Sequence, residues 1–429
     1  MKRFLRTPRR RATTLVAVVV ALGLAITALT ASTASGGKRD KITIRVGLFG
    51  DFGYHDLYAR YEASHPNIDI KEDVENYADH HANLAKHLAV GSGADDIESV
   101  EVGFIAQFKS KPNLFVDLNK LGAKKLQKQW LTWKWRQSLA PNGAQIGLGT
   151  DVGSLAICYR RDLFRKAGLP SSRAAVSKLW PTWQQFVATG KRFEKNAPNG
   201  VRFFDSGSNV YNAIIGQLNP AYYTSSGKTI VGSNPKVKAA WTLTMKAILA
   251  HESAGIAAFS NDWNTGFKSG TFATVTCPAW MMGYIQGQAP NTRGKWDIAA
   301  VPGGGGNWGG SFLTVPKQGS HAKEAYDLAK FLTSPAAEAY VFKHTGNLPS
   351  QPALYRLKAV ATFKNPFFNN APVGKIFTTS AKQLKPQITG PHQGDIQTAV
   401  SNAIQRVEQH KQSPQQSWKQ FLKDVKALG

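Results

Sequence analysis

The chain has 429 residues, 42% of them hydrophobic, and carries 53 Lys and Arg against 27 Asp and Glu, a formal net charge of +26. That length is long for one compact domain and comfortable for two, and the apolar content allows full cores, so the chain beyond its N-terminus is a folded soluble protein. Two cysteines, Cys158 and Cys277, exclude a CxxC redox motif and metal-finger spacing.

Residues 1–35 predict a signal peptide. Lys2, Arg3, Arg6 and Arg9 to Arg11 form a basic start, Leu15 to Leu29 is uncharged and apolar, and Ser32-Thr33-Ala34 offers small residues for cleavage. An uncleaved anchor is the competing reading, because the uncharged run from Ala12 to Gly37 is just long enough to span a bilayer. Without the six basic residues of this segment the rest of the chain is still about +20, which implies attraction to polyanions. The basic residues are scattered, with no arginine-rich arm or recognition motif, so nucleic acid is not expected as a partner; anionic lipids and cell-wall polymers are the polyanions an exported protein meets.

Ile42 to Val46 alternates as a first strand and runs into a loop carrying Asp51, Phe52 and Tyr54, where ligands sit in doubly wound α/β domains. A helix from Leu57 to Ser64 and a strand from Ile68 to Ile70 follow. Tyr77 opens the next helix, with Leu84 and Leu88 on its stripe and Gly91-Ser92-Gly93 as its stop. Asp79 is read as its cap, and His80 or His81 as a polar cleft contact. A metal site is rejected there, because adjacent histidines point to different faces and His87 brings no third ligand at good spacing. The following strand ends in Glu101. Lys109 to Ala140 is expected to be helical, with Trp130, Trp133 and Trp135 packing.

Gln145 to Tyr159 reads as a first crossing between domains that takes Asp151 into a cleft. Leu155 to Tyr159 and Phe272 to Thr276 read as buried strands around the two cysteines; export permits one disulfide between Cys158 and Cys277, and two buried free thiols are the alternative. Asn209, Tyr211 and Asn212 stand at a helix mouth, where amides and a phenol suit a hydroxyl-rich ligand; capping by Ser208 or Asn209 is the plainer reading. Gly303 to Gly306 leads into Asn307-Trp308-Gly309-Gly310-Ser311 and a short strand, Phe312 to Val315. This is no phosphate loop, since Gly-Lys-Ser/Thr is missing. Trp308, held among glycines, has no apolar stripe of its own to pack with. Two helices follow, the first capped by Ser320 with Ala325, Leu328, Ala329 and Leu332 on one face, the second opening at Ser334-Pro335. Helices over Ile396 to Val407 and Pro414 to Leu428 close the chain.

The order of glycine loop, strand and helix pair, with KEAYDLAKFLTSPAA and GNLPS, resembles family 1 of the extracellular solute-binding proteins, the maltose-binding-protein type that serves ABC importers. GSGADDIESVEVG, YRRDLFRKAGLP, PTWQQF and the run from Phe267 to Trp280 are similar to the family as well. The resemblance implies an α/β, two-lobe, type II periplasmic-binding-protein-like fold, with the ligand cleft between the lobes and three interlobe crossings. Lobe 1 would hold 41–151 plus 312–366, and lobe 2 would hold 152–311 plus 367–429. It implies a monomer without cofactor or metal that captures a neutral di- or oligosaccharide, cellobiose-like as a first expectation, and delivers it to membrane permease subunits of an ABC importer. Trp280 and Trp308 would stack on sugar rings beside Gly309, Gly310 and Ser311. Asp51, Asp79, His80, Glu101, Asp151, Asn209 and Asn212 would meet hydroxyls, and Phe52, Tyr54 and Tyr211 would complete the walls. Localisation would be periplasmic or on the outer face of the cytoplasmic membrane; where the family often has a lipid-bearing cysteine, this chain has Ser32, Thr33 and Ser35.

Two other classes compete. A secreted glycoside hydrolase needs two carboxyls at a fixed separation, and nothing local pairs them. Gly-x-Ser-x-Gly and His-Glu-x-x-His are absent, His251-Glu252 being followed by Ser253-Ala254-Gly255, so no catalytic residues and no enzyme are expected. A basic cell-wall-binding protein is the other.

Overall fold

The computed structural model describes residues 41–429; the segment read as a signal peptide, 1–35, lies outside the described residues. Eleven strands follow in chain order: β1 (Ile42–Leu48), β2 (Ile68–Val74), β3 (Ile97–Glu101), β4 (Gly147–Gly149), β5 (Asp151–Val152), β6 (Leu155–Arg160), β7 (Arg202–Phe204), β8 (Phe272–Pro278), β9 (Trp296–Ala299), β10 (Ser311–Thr314) and β11 (Leu348–Pro349). They build two α/β lobes. One sheet has the order β2-β1-β3-β10-β4 and the other β7-β8-β6-β9, while β5 and β11 form a separate pair.

In the first sheet β1 runs parallel to β2, from Ile42 opposite Ile68 to Leu48 opposite Val74, and parallel to β3 on its other side. These are the strands linked by helices, as parallel pairs require. β10 arrives from far along the chain and inserts antiparallel between β3 and β4, which sets Ser311 opposite Glu101 and Phe312 opposite Gly149. In the second sheet β6 and β8 are antiparallel, with Ala156 opposite Cys277 and Cys158 opposite Val275. The cysteines are bonded to each other, with Cα atoms 5.4 Å apart and both residues fully buried.

The chain passes between the lobes three times: after β4, after β9, and after the helix pair that follows β10. On the last passage the helix Val373–Gln383 docks beside β6. Ser154 Oγ donates to Phe377 O at 2.9 Å, and Ser380 Oγ donates to Leu155 O at 2.7 Å. Phe342, Leu348 and Val360 pack in one cluster with Cys158, Trp263 and Trp296, so the segment after β10 contributes to the core behind the second sheet.

Local signals account for most elements. In the helix Ala322–Leu332 the residues Ala325, Leu328, Ala329 and Leu332 are all buried; burying each of the two leucines contributes about 1.5–3 kcal/mol. Ser334 caps the next helix by accepting from Ala337 N–H, with Pro335 in its first turn. Three caps differ from expectation. His321, not Ser320, precedes the helix Ala322–Leu332. Ser206, not Ser208 or Asn209, caps the helix Gly207–Ile215. Asn76, not Asp79, caps the helix Tyr77–Val90: its side-chain oxygen accepts from Asp79 N–H at 3.0 Å, the placement two or three residues before the accepted donor that a cap requires.

Lys109 to Ala140 is not one helix. It breaks into 3₁₀ turns over Pro112–Leu114, Leu118–Leu121 and Ala123–Gln129, and a short α-helix over Thr132–Gln137. Pro112 cannot continue the preceding helix, and Gly122, at φ 103°, turns the chain where other residues are strained.

Candidate ligand-binding site

The site forms where β3, the β4–β5 crossing and the loop before β10 meet. Trp308 N–H donates to Gly153 O at 2.8 Å, and Asn307 N–H donates to Gly216 O at 3.1 Å, so the glycine loop is pinned at both ends. A Cβ on Gly310 would stand 2.7 Å from Asp151 O; at φ 94° the position suits only glycine. Gly309 is under similar constraint, since its Cβ would lie 2.9 Å from Nε1 of Trp280. The two glycines thus allow the loop to lie against the second lobe's tryptophan and the first lobe's carboxylates together.

Trp280 ends the β8 segment and is half-buried, its indole N–H donating to Trp308 O at 3.1 Å. The two tryptophan rings meet edge to face, with centroids 5.6 Å apart and planes at 72°. Trp308, also half-buried, touches the hydrophobic clusters of both the Tyr159 and the Cys158 sides of the second lobe.

Glu101 lies at the end of β3 and caps the helix Val102–Lys109, accepting from Gly103 N–H at 2.5 Å and from the Tyr77 hydroxyl at 3.2 Å. Burial pushes its carboxyl up to about 7, against the pull of those two donors and of Lys134. Lys134 is itself buried and drawn down to about 8, its ammonium 3.8 Å from the centre of the Phe312 ring. Asp151 accepts from Thr150 Oγ1 at 2.7 Å and from Ser311 N–H at 2.9 Å; burial raises it, with Lys134 opposing. Glu338, held by the Ser350 hydroxyl at 2.6 Å, is raised well above the usual carboxylate range by burial. One lysine faces three buried carboxyls, and burial raises all three.

The structure therefore brings together Glu101, Asp151, Trp280, Trp308, Gly309, Gly310 and Ser311. Phe52 and Tyr54 stand behind them, lining a small cavity with Thr150 and Glu338. The other residues singled out in the sequence lie elsewhere or face inward. Asp51 is exposed and accepts from Gly53 N–H at 2.7 Å, while Asp79 is exposed at the helix start. His80 is buried, with Nε2 2.7 Å from Ser99 O, and burial lowers its pKa. It lines a polar cavity of about 50 Å³ between β1 and the helix Tyr77–Val90, which has room for a few waters but not for a sugar. Asn209 donates to Asp205 at 2.5 Å inside the second lobe, sharing that carboxylate with the Trp263 indole at 2.7 Å. Tyr211 is fully buried against Tyr222, and Asn212 is half-buried on the same helix.

Three residues at the site escape sequence reasoning. Tyr77 reads only as a helix start. Lys134 is hidden among tryptophans whose role is packing. Phe259 has no periodic partner; the one local signal is its place just before the Ser260 cap. Its ring lies near-parallel to Tyr77 (6.1 Å, 16°) and to Trp280 (6.2 Å, 20°), and so joins the two lobes.

Residues 56–368 of this two-lobe α/β chain match the family model described as bacterial extracellular solute-binding protein; the chain belongs to that family. Among curated proteins it is 28% identical to an arabinooligosaccharide-binding protein of Bacillus subtilis (strain 168) over 303 residues, 66% of each chain, so the match spans just under two thirds of that relative's length. Among solved structures it is similar to an extracellular solute-binding protein family 1 (42% identity, TM-score 0.78, covering 90% of this chain and 99% of that one). The fold is also that of an ABC transporter associated binding protein from B. animalis subsp. lactis Bl-04, in complex with beta-1,6-galactobiose (21% identity, TM-score 0.76, covering 90% and 97%). The two-lobe type II architecture is common to these structures.

Proposed function

We propose that the protein is the substrate-binding component of an ABC importer that captures a short neutral oligosaccharide outside the membrane and hands it to permease subunits. The observation that carries this is the half-exposed pair Trp280 and Trp308, edge to face beside Glu101 and Gly309. Aromatic faces cover the apolar faces of sugar rings, and a buried carboxyl next to them accepts from hydroxyls; a misplaced hydroxyl leaves polar groups unpaired, which is how such a cleft selects. The lobes are assigned as 41–151 plus 312–366 and 152–311 plus 367–429, with Phe342, Leu348 and Val360 of the first reaching into the core of the second, and they would close over the ligand as a monomer. An exported location, by way of residues 1–35, belongs to the same reading.

The resemblance in sequence favours a cellobiose-like ligand, whereas the Bacillus subtilis relative is an arabinooligosaccharide-binding protein and the B. animalis protein of like fold is in complex with β-1,6-galactobiose. Calorimetry against arabino-, galacto- and cello-oligosaccharides decides among them. Saturable binding without product supports transport; turnover of any of them supports a hydrolase instead. Against hydrolysis, one Asp151 oxygen already takes the Ser311 amide and the Thr150 hydroxyl, an arrangement suited to bracing the crossing. If only amino acids, phosphate or metal ions bind, the ligand class is wrong.

A further inference from the structure

We propose that Phe259 is a built-in wedge: its ring competes for the place that a sugar ring of the ligand takes beside Tyr77 and Trp280. Its backbone adopts φ 65°, a conformation a bulky side chain takes only when its surroundings impose it. The side chain is nevertheless 43% exposed, so core burial does not impose it. What holds it is aromatic. Besides the two near-parallel contacts, the ring meets Trp263 edge to face at 5.2 Å and Tyr284 at 5.7 Å. Tyr77 belongs to the first lobe and its hydroxyl holds Glu101, whereas Phe259, Trp263, Trp280 and Tyr284 belong to the second. Phe259 is thus an aromatic ring from one lobe lying near-parallel to a ring of the other, beside the carboxyl and tryptophan that the oligosaccharide reading assigns to the ligand.

A ring in that position meets one ring of each lobe near-parallel and draws the lobes together. A sugar entering the same slot must displace it, and that displacement is subtracted from the affinity, as for any ligand whose competent state is only partly populated. Gly255, at φ 66°, and Phe259 bracket a short loop that is tied down by Ile256 N–H donating to Asp205 O at 3.1 Å and by the Ser260 cap, accepting from Trp263 N–H at 3.2 Å, so a shift of the ring needs only local change at Phe259.

The test has two arms, of which only the second rests on the oligosaccharide reading. In the first, solution scattering compares the ligand-free full chain with Phe259→Ala and Phe259→Gly. The glycine variant suits the left-handed backbone and guards against misfolding of the alanine one. Both variants are expected to show a larger radius of gyration than wild type; an unchanged radius in both overturns the wedge. In the second, calorimetry with arabinotriose and β-1,6-galactobiose should show the variants binding about threefold or more tighter than wild type. Equal or weaker binding overturns the wedge and makes Phe259 a bystander or an ordinary wall. If neither sugar binds wild type or variant, the ligand class fails, and the scattering arm alone decides on the wedge.

Discussion

The Tyr77 hydroxyl donates to Oε2 of Glu101 at 3.2 Å, tying the first turn of one helix to the carboxyl that caps the next. Because burial holds Glu101 at about 7 in the folded chain, above an ordinary glutamate, its contribution to stability is complete below the unfolded value near 4.5 and is lost as pH rises through 7. Glu101→Gln should flatten the pH dependence of the melting temperature between pH 5 and 8 and stabilise the protein at pH 8 by up to about 3 kcal/mol. A variant whose pH profile parallels wild type would show that Glu101 ionises freely.

Trp280 and Trp308 differ in what else they hold. Trp280→Ala should weaken oligosaccharide binding by about 1–3 kcal/mol and lower the melting temperature less than Trp308→Ala does, since Trp280 packs against one hydrophobic cluster only. Trp308→Ala should weaken binding by a similar amount and also lower the melting temperature, because Trp308 packs against two hydrophobic clusters. Calorimetry and melting curves on the same preparations check both. Wild-type affinity in both variants would remove these rings from the site.

Glu252 is fully buried, and neither carboxyl oxygen accepts a hydrogen bond among the described residues. Burial pushes it up to about 9, with Glu194 adding to the rise. The stabilising protonated form is therefore complete below the unfolded value near 4.5, and stability is lost as pH rises towards 9. Glu252→Gln should gain on the order of 4 kcal/mol at pH 8 and little at pH 4. Denaturant titrations at the two pH values measure the difference; equal effects at both would contradict it.

The Cys158–Cys277 bond joins residues 119 apart. Closing a loop of that length removes unfolded-state entropy worth about 4–5 kcal/mol. Both sulfurs are in the core, so reductant should act only through unfolding. Unfolding in guanidinium with and without reductant should give unfolding free energies that differ by about that amount, and rapid thiol labelling of the folded protein in reductant would contradict the burial.

Sequence and structure divided the information by range. Elements whose cause is local were legible: the alternation of β1, the stripe Ala325–Leu332, the Ser334-Pro335 start, and Glu101 at the end of a strand. Local signals misled where several residues compete for one role. Asn76 and Asp79 can each cap, and only backbone geometry at the turn selects Asn76. The stretch from Lys109 looked helical because its composition favours helix, while Pro112 and Gly122 divide it.

Asn209 and Tyr211 carry ligand-friendly groups, yet their helix faces the core. Asp205 and Tyr222, distant in sequence from neither but fixed by packing, take those groups up. By itself the sequence determined the export-type N-terminal pattern, the alternation of strands and helices, and the glycine loop that carries Trp308. Only the tertiary structure decided that β10 would insert beside β3, that Lys134 would be buried within the field of Asp151, Glu101 and Glu338, and that Phe259 would reach Tyr77. Those pairings depend on the register of strands hundreds of residues apart and on the meeting of two lobes, for which no periodicity or cap in the chain provides a signal.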